Sequence, residues 1–202
     1  MIETATPACS IALLRGEALV AERHEIVGRG HAERLVPAID QLLMESDATP
    51  GAILVDCGPG SFTGVRVGLA AARALGFAWH APVHGCSSLA LIAATLLEQT
   101  GEESCAVALL GGHGELFVQR FGAAPLTALT ELASLPPEAA AATIPDRLVV
   151  GSGAATLVAA RGHGEARDAL PRAADARRLP EALAMLPPRP LYGRAPDAKL
   201  PA

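Results

Sequence analysis

The sequence predicts an α/β protein of two lobes, each a mixed sheet flanked by helices. Three observations carry that prediction. Short apolar runs alternate with longer runs of helical period. A hairpin pattern opens the chain and helix–strand units follow it, an order that puts antiparallel and parallel pairs in one sheet. Apolar residues make up 50% of the 202 residues and aromatics only 3%, so the core is expected to be Leu, Val, Ile and Ala. A chain of this length buries roughly 70% of its unfolded surface and needs no disulfide or metal to hold it.

Residues 9–14 and 18–27 read as strands around a Gly16-Glu17 turn. Residues 31–46 place Leu35, Val36, Ile39, Leu42 and Leu43 at helical spacing, with Pro37 inside the run as an expected kink. Residues 51–56 read as a strand, 65–80 as a helix, 82–85 as a strand and 89–100 as a helix capped by Ser87 or Ser88. Strands are expected at 104–110, 116–121 and 148–150, with an Ala/Pro-rich stretch between the last two. The prolines after residue 187 predict an extended tail. The expected division is a first lobe over 1–100, carrying the partner helices, and a smaller, divergent second lobe over 101–202.

Net charge is −5, with 16 basic against 21 acidic residues. No basic stripe is visible, so a grip on nucleic acid would have to come from another chain. Cys9, Cys57, Cys86 and Cys105 form no C-x-x-C pair, which predicts reduced core thiols in a cytoplasmic protein. No apolar run is long enough to span a bilayer.

Residues 58–64 read Gly-Pro-Gly-Ser-Phe-Thr-Gly between an apolar strand and an Ala-rich helix. Such a loop aims backbone N–H groups and the positive end of a helix dipole at one spot. It is not a nucleoside-triphosphate loop, because no lysine follows Gly64. Gly58, Gly60, Ser61 and Thr63, with Glu3 and Thr4 just before the first full strand, remain an anion- or nucleotide-proximal set. The helix behind the loop carries Gly64, Gly68, Ala72 and Gly76 at every fourth position. Each interior glycine costs about 1 kcal/mol against alanine, so the ridge needs close backbone approach to another element. Its own sheet and a helix of a second chain are the two candidates. His31 lacks a second histidine four residues on, where Leu35 stands, and His113 with Glu115 reads as a surface loop.

Several segments together resemble the TsaB (YeaZ) family. They are Glu3-Thr4-Ala5-Thr6, residues 8–13, residues 31–37, the loop and helix from Gly58 to Gly68, Gly85-Cys86-Ser87-Ser88-Leu89, Gly151-Ser152-Gly153-Ala154 and residues 190–197. The match is dense over 3–95 and thin over 104–186. The resemblance implies an actin-like (sugar kinase, Hsp70, actin) fold of two lobes. It implies a non-catalytic subunit of the machinery that makes threonylcarbamoyladenosine at position 37 of tRNAs reading ANN codons. The implied partners are a TsaD-type catalytic subunit and a TsaE-type ATPase, with tRNA met only through the complex and a homodimer in isolation. The first two helices are the implied interface, which makes Val36, Ile39, Gly64, Gly68, Ala72 and Gly76 its candidate residues. No metal and no tightly bound cofactor is implied, while a nucleotide at the subunit boundary stays open. Where the family often has Asp-Ala-Arg-x-Gly-Glu-Val-Tyr, this chain has residues 110–117 without the Asp or Arg. The alternative from the residues is an enzyme of the same fold acting alone, a metal- or ATP-dependent hydrolase, kinase or peptidase.

Overall fold

The computed structural model describes residues 1–193; the resembling residues Arg194 to Asp197 lie outside them. The first sheet is built from β1 (Ile2–Glu3), β2 (Ala8–Arg15), β3 (Ala18–Ile26), β4 (Ile53–Asp56) and β5 (Val83–Cys86) in the order β3-β2-β1-β4-β5. β1, β2 and β3 pair antiparallel, and β1, β4 and β5 pair parallel. Gly16 sits in the left-handed region (φ 60°) that the β2–β3 turn requires. Helices α1 (His31–Ser46) and α2 (Phe62–Trp79) cover the sheet.

α1 runs on through Pro37. The helix buries Leu35, Ile39 and Leu42 against Ile11, Ile53 and Val55. Each such side chain contributes about 1.5–3 kcal/mol. Together they outweigh the ~3 kcal/mol that an interior proline costs.

α3 (Ser88–Thr100) begins at the Ser87 cap, whose Oγ accepts from Leu89 N. The second sheet contains β6 (Ser104–Leu110), β7 (Leu116–Gly122), β8 (Thr127–Ala128), β9 (Ala133–Leu135), β10 (Leu148–Val150) and β11 (Glu165–Arg167). Its order is β11-β10-β6-β7-β8, with β9 also on β7. α3 fills one face, where Leu89, Ile92 and Leu96 meet Val107, Phe121 and Val150. α4 (Pro137–Thr143) and α5 (Ala154–Arg161) fill the other through Ala140, Ile144 and Leu157. A short α6 (Glu181–Ala184) follows.

The packing divides the chain differently from the expected boundary at residue 100. α3 belongs to the core of the second lobe. From residue 172 the chain returns to the first: Arg172 pairs with Glu22, and Ala173 N donates to Ser10 Oγ at 3.0 Å. Gly85 and Leu186 exchange backbone hydrogen bonds of 2.7 and 3.0 Å, and Leu191 N donates to Cys57 O at 2.8 Å. Among the described residues, no helix is long and apolar enough to cross a membrane. All four cysteines are buried and unpaired, and burial pushes the Cys9 and Cys57 thiols up to about 11 and Cys105 to about 12.

Candidate functional site

The glycine loop joins β4 to α2 and rests on the turn that leaves β1. Glu3 organises that turn: its Oε1 accepts from Ala5 N (2.8 Å), Thr6 N (3.2 Å) and Thr6 Oγ1 (3.3 Å). The turn then receives the loop. Ser61 N donates to Ala5 O at 2.6 Å, and Thr4 Oγ1 donates to Gly64 O at 2.8 Å. Gly60 and Gly64 have no side chains because a Cβ would fall within the radii of Ala5 O and Thr4 O. Ser61 caps α2, its Oγ accepting from Gly64 N at 3.2 Å. Gly58 N donates to Asp56 Oδ1 at 2.7 Å, and Asp56 also accepts from Ser88 Oγ at 2.9 and 2.7 Å.

The structure thus gathers Glu3, Thr4, Gly58, Gly60 and Ser61 at one junction. Thr63 lies on the exposed side of the first turn of α2. The amides of Gly58, Ser61 and Gly64 are engaged by the chain's own acceptors. The parallel register Ile2↔Val55 sets Glu3 beside Asp56, and both are buried. Burial pushes the Asp56 carboxyl up to about 7. Burial first, and the Asp56 charge second, push Glu3 well above the usual carboxylate range. Among the described residues Glu3 Oε2, which is buried, has no hydrogen-bond partner. The sequence showed Glu3 but not Asp56, which stands three residues after Ile53 in an ordinary strand pattern.

Between the lobes lies a cleft of about 440 Å³, walled by Thr6, Ser61 and Phe62 on one side and by Leu110, Phe117 and Ser152 on the other. Among the described residues, every one lining it is apolar, a glycine or a hydroxyl residue. His31 is buried, with Nε2 3.0 Å from both Thr6 O and Ala8 O, the separation of a hydrogen bond that an Nε2–H donates. His113 stands in an exposed turn at φ 59°. Its supposed neighbour Glu115 accepts from Ser134 Oγ at 2.6 Å.

The small-residue ridge faces inward. Gly64, Gly68, Ala72 and Gly76 are all buried against the first sheet. A Cβ on Gly68 would stand 2.5 Å from Thr4 Oγ1, and one on Gly76 2.5 Å from Val83. Of the two destinations open to the ridge, the chain's own sheet is the one occupied, which takes these four positions out of any surface. Ile39 is likewise a core residue, whereas Val36 is 51% exposed. The outward stripe of α2 is Phe62, Arg66, Ala70, Arg73, Ala74 and Phe77. Phe62 and Phe77 are 59% and 84% exposed. The sequence signal for it was present: α2 contains no acidic residue, and the side opposite its glycines carries Phe62, Ala70, Ala74 and Phe77 beside Arg66 and Arg73. The segment 186–193 borders the stripe. Arg73 Nη2 donates to Pro188 O at 2.6 Å, and the Tyr192 and Phe62 rings lie 6.5 Å apart.

A family model described as TsaD, tRNA N6-adenosine threonylcarbamoyltransferase, matches residues 23–124. A Pseudomonas aeruginosa structure described as an uncharacterized protein with similarity to peptidase YEAZ superposes with a TM-score of 0.79 at 30% identity, covering 96% of this chain and 97% of that one. YeaZ of Pseudomonas aeruginosa superposes with a TM-score of 0.75 at 31% identity, covering 86% and 85%. The Bacillus subtilis tRNA threonylcarbamoyladenosine biosynthesis protein TsaB is 38% identical over 96 residues, which are 46% of this chain and 42% of that protein. The chain spans about half the length of the curated relatives it matches. The TsaD-type domain is of the actin-like class, in agreement with the two mixed sheets and their helices. With half its length matched by that model and a solved relative aligned over nearly all of it, the chain belongs to the TsaB (YeaZ) family.

Proposed function

We propose that this chain is an accessory, non-catalytic subunit of the threonylcarbamoyladenosine machinery and works in the cytoplasm. It docks a TsaD-type catalytic subunit on the outward face of α1 and α2, with a TsaE-type ATPase joining the pair. In this reading tRNAs with ANN-reading anticodons are met through the complex. The observation that supports it most is the exposed stripe on α2, with the large apolar side chains Phe62 and Phe77 at its ends. Large apolar side chains this exposed on a monomer mark interaction surfaces. The loop supports the same reading, since Ser61 N holds the β1–β2 turn through Ala5 O and the Ser61 cap on Gly64 N seats α2.

Co-purification with the TsaD homologue of the same organism tests it, together with tRNA modification assayed with and without this chain. Phe77→Asp is expected to weaken that complex at least tenfold, the loss of a hot-spot contact, while far-UV circular dichroism stays that of the wild type. Unchanged retention of the catalytic subunit by Phe77→Asp would sink the reading.

The buried Glu3–Asp56 pair, with Asp56 at about 7, favours a second reading: an ATP- or metal-dependent enzyme acting alone. Calorimetry of the isolated protein with ATP and Mg²⁺ separates the two, since only the enzyme would bind and turn over nucleotide by itself.

A further inference from the structure

Half of the chain's six aromatic residues stand at one place, the mouth of the cleft between the lobes. Phe62 and Phe117 line it, and the Tyr192 ring lies 6.5 Å from that of Phe62. Leu110, at the end of β6, lines the wall opposite Phe62. Phe62, Leu110 and Tyr192 are each more than half exposed. Large apolar side chains gathered on a surface in this way mark an interaction site. At about 440 Å³ the cleft is also large enough to take a guest.

The walls define what can enter. Among the described residues lining the cleft there is no cation and no acid, so a charged guest would be buried without a partner. A nucleoside triphosphate does not fit. Its phosphates would meet no lysine or arginine there. The Gly58, Ser61 and Gly64 amides of the adjoining loop are already bonded to Asp56 Oδ1, Ala5 O and Ser61 Oγ. Two hydroxyls remain as donors. Ser61 Oγ accepts from Gly64 N and Ser152 Oγ from Leu110 N, each at 3.2 Å, which leaves both O–H groups able to donate. Thr6 Oγ1 already donates to Glu3. The guest that suits these walls has an apolar body and one or two uncharged acceptor oxygens. An aromatic side chain with the peptide carbonyls beside it meets both demands.

The cleft is continuous with the outward stripe of α2, because Phe62 belongs to both. We propose that the partner docking on α2 also inserts a short apolar segment, an aromatic side chain leading, between the two lobes. This rests on the reading of the α2 face as the docking surface of the catalytic subunit, and it extends that surface to Leu110 and Phe117 of the second lobe. Phe62, Leu110 and Phe117 enclose the inserted side chain, while Ser61 and Ser152 donate to its oxygens. Gly60, Gly111 and Gly112 leave the walls without side chains that would fill the space. A partner held in this way grips both lobes at once.

The affinity of the full chain for the TsaD homologue of the same organism, measured by biolayer interferometry, tests the proposal. Leu110→Asp puts a charge on the wall and is expected to weaken binding at least tenfold. Leu110→Met keeps the wall apolar and is expected to bind like the wild type. A Cβ on Gly112 would meet nothing within 4 Å, so Gly112→Trp adds bulk to the wall without disturbing the fold, and it too is expected to weaken binding at least tenfold. Circular dichroism and melting temperature, expected to match the wild type, confirm that each variant is folded. Wild-type affinity in Leu110→Asp and Gly112→Trp overturns the insertion. If Phe77→Asp, at the far end of the stripe, still loses the partner in that case, the docking surface on α2 stands and only the insertion is wrong. If Phe77→Asp binds normally as well, both readings fall. Calorimetric binding of ATP to the isolated chain that Leu110→Asp abolishes would assign the cleft to a nucleotide and overturn the proposal by another route.

Discussion

Replacing Gly64 with alanine is expected to destabilise the protein by about 4 kcal/mol, at the upper end for a single substitution. The added methyl would enter the space of Thr4 O, a backbone atom. Neither side can yield readily. Thr4 directly follows β1, and its Oγ1 donates back to Gly64 O. Gly64 N is bound by the Ser61 cap. Relief requires α2 to lift from the β1–β2 turn, which also breaks the Ser61 N to Ala5 O bond. Ordinary overpacking costs roughly 1–3 kcal/mol, but there the obstacle is a side chain that can turn aside. The better helix propensity of alanine returns only about 1 kcal/mol. Urea unfolding followed by circular dichroism measures the loss. Ala70→Val, on the exposed side of the same helix, should stay within about 0.5 kcal/mol of the wild type. A Gly64→Ala variant as stable as Ala70→Val would show that the seam between turn and helix is looser than its geometry says.

That seam explains what could be read from the residues and what could not. The period of the apolar positions gave α1, α2, β4 and β5 within a few residues, because each buries one face against a single sheet. The four-residue spacing of Gly64, Gly68, Ala72 and Gly76 announced close approach, but spacing alone carries no direction. For Gly76 the approaching residue is Val83 of β5, and for Gly64 and Gly68 it is Thr4, some sixty residues earlier in the chain. Only the parallel pairing of β1 with β4 brings it there. The division of the lobes was hidden for the same reason. α3 is apolar nearly all round, with Leu89, Leu91, Ile92, Leu96 and Leu97 all buried. Its pattern could not say which sheet its main contacts would be with. The return of residues 172–193 rests on scattered hydrogen bonds, the Arg172–Glu22 pair and a few small apolar contacts such as Ala173 and Ala174 on Ala12, which leave no periodic trace.

The candidate site divides along similar lines. Glu3, Gly58, Gly60 and Ser61 stood out because glycine, proline and hydroxyl residues cluster at turns. Asp56 did not, since one carboxylate at a strand end is unremarkable until a second is set beside it. On the outward face, Phe62 and Phe77 are fifteen residues apart, and nothing local marks them as exposed. Their exposure follows once the glycines opposite them are seen to face the sheet.

Glu3→Gln is expected to flatten the dependence of stability on pH and to raise the melting temperature above neutrality. Asp56 is raised from 3.8 to about 7 in the folded protein, and Glu3 is raised from 4.5 in the same direction. Between about pH 4 and pH 7 the folded chain therefore binds more protons than the unfolded one, so stability falls as pH rises through that window. Below it both states are protonated at this site and the penalty is absent. Above it the Asp56 penalty is complete, and Glu3, pushed up by burial and then by the Asp56 charge, adds its own as it ionises. An amide at position 3 keeps an oxygen to accept from Ala5 N and Thr6 N and removes one charge. Each pKa unit by which Glu3 stands above its ordinary value is worth about 1.4 kcal/mol and the amide does not titrate, so the gain near pH 8 is roughly 1–3 kcal/mol, with little change near pH 5. Glu3→Ala separates charge from hydrogen bonding. It too removes the anion, but it strips the acceptor from the turn and should lower stability across the whole range. Thermal melts of the three proteins near both pH values decide the matter: parallel profiles for the wild type and Glu3→Gln would mean that the pair carries no titrating burden. Because the turn held by Glu3 is also the seat of α2, the same substitution should steady the partner face at alkaline pH.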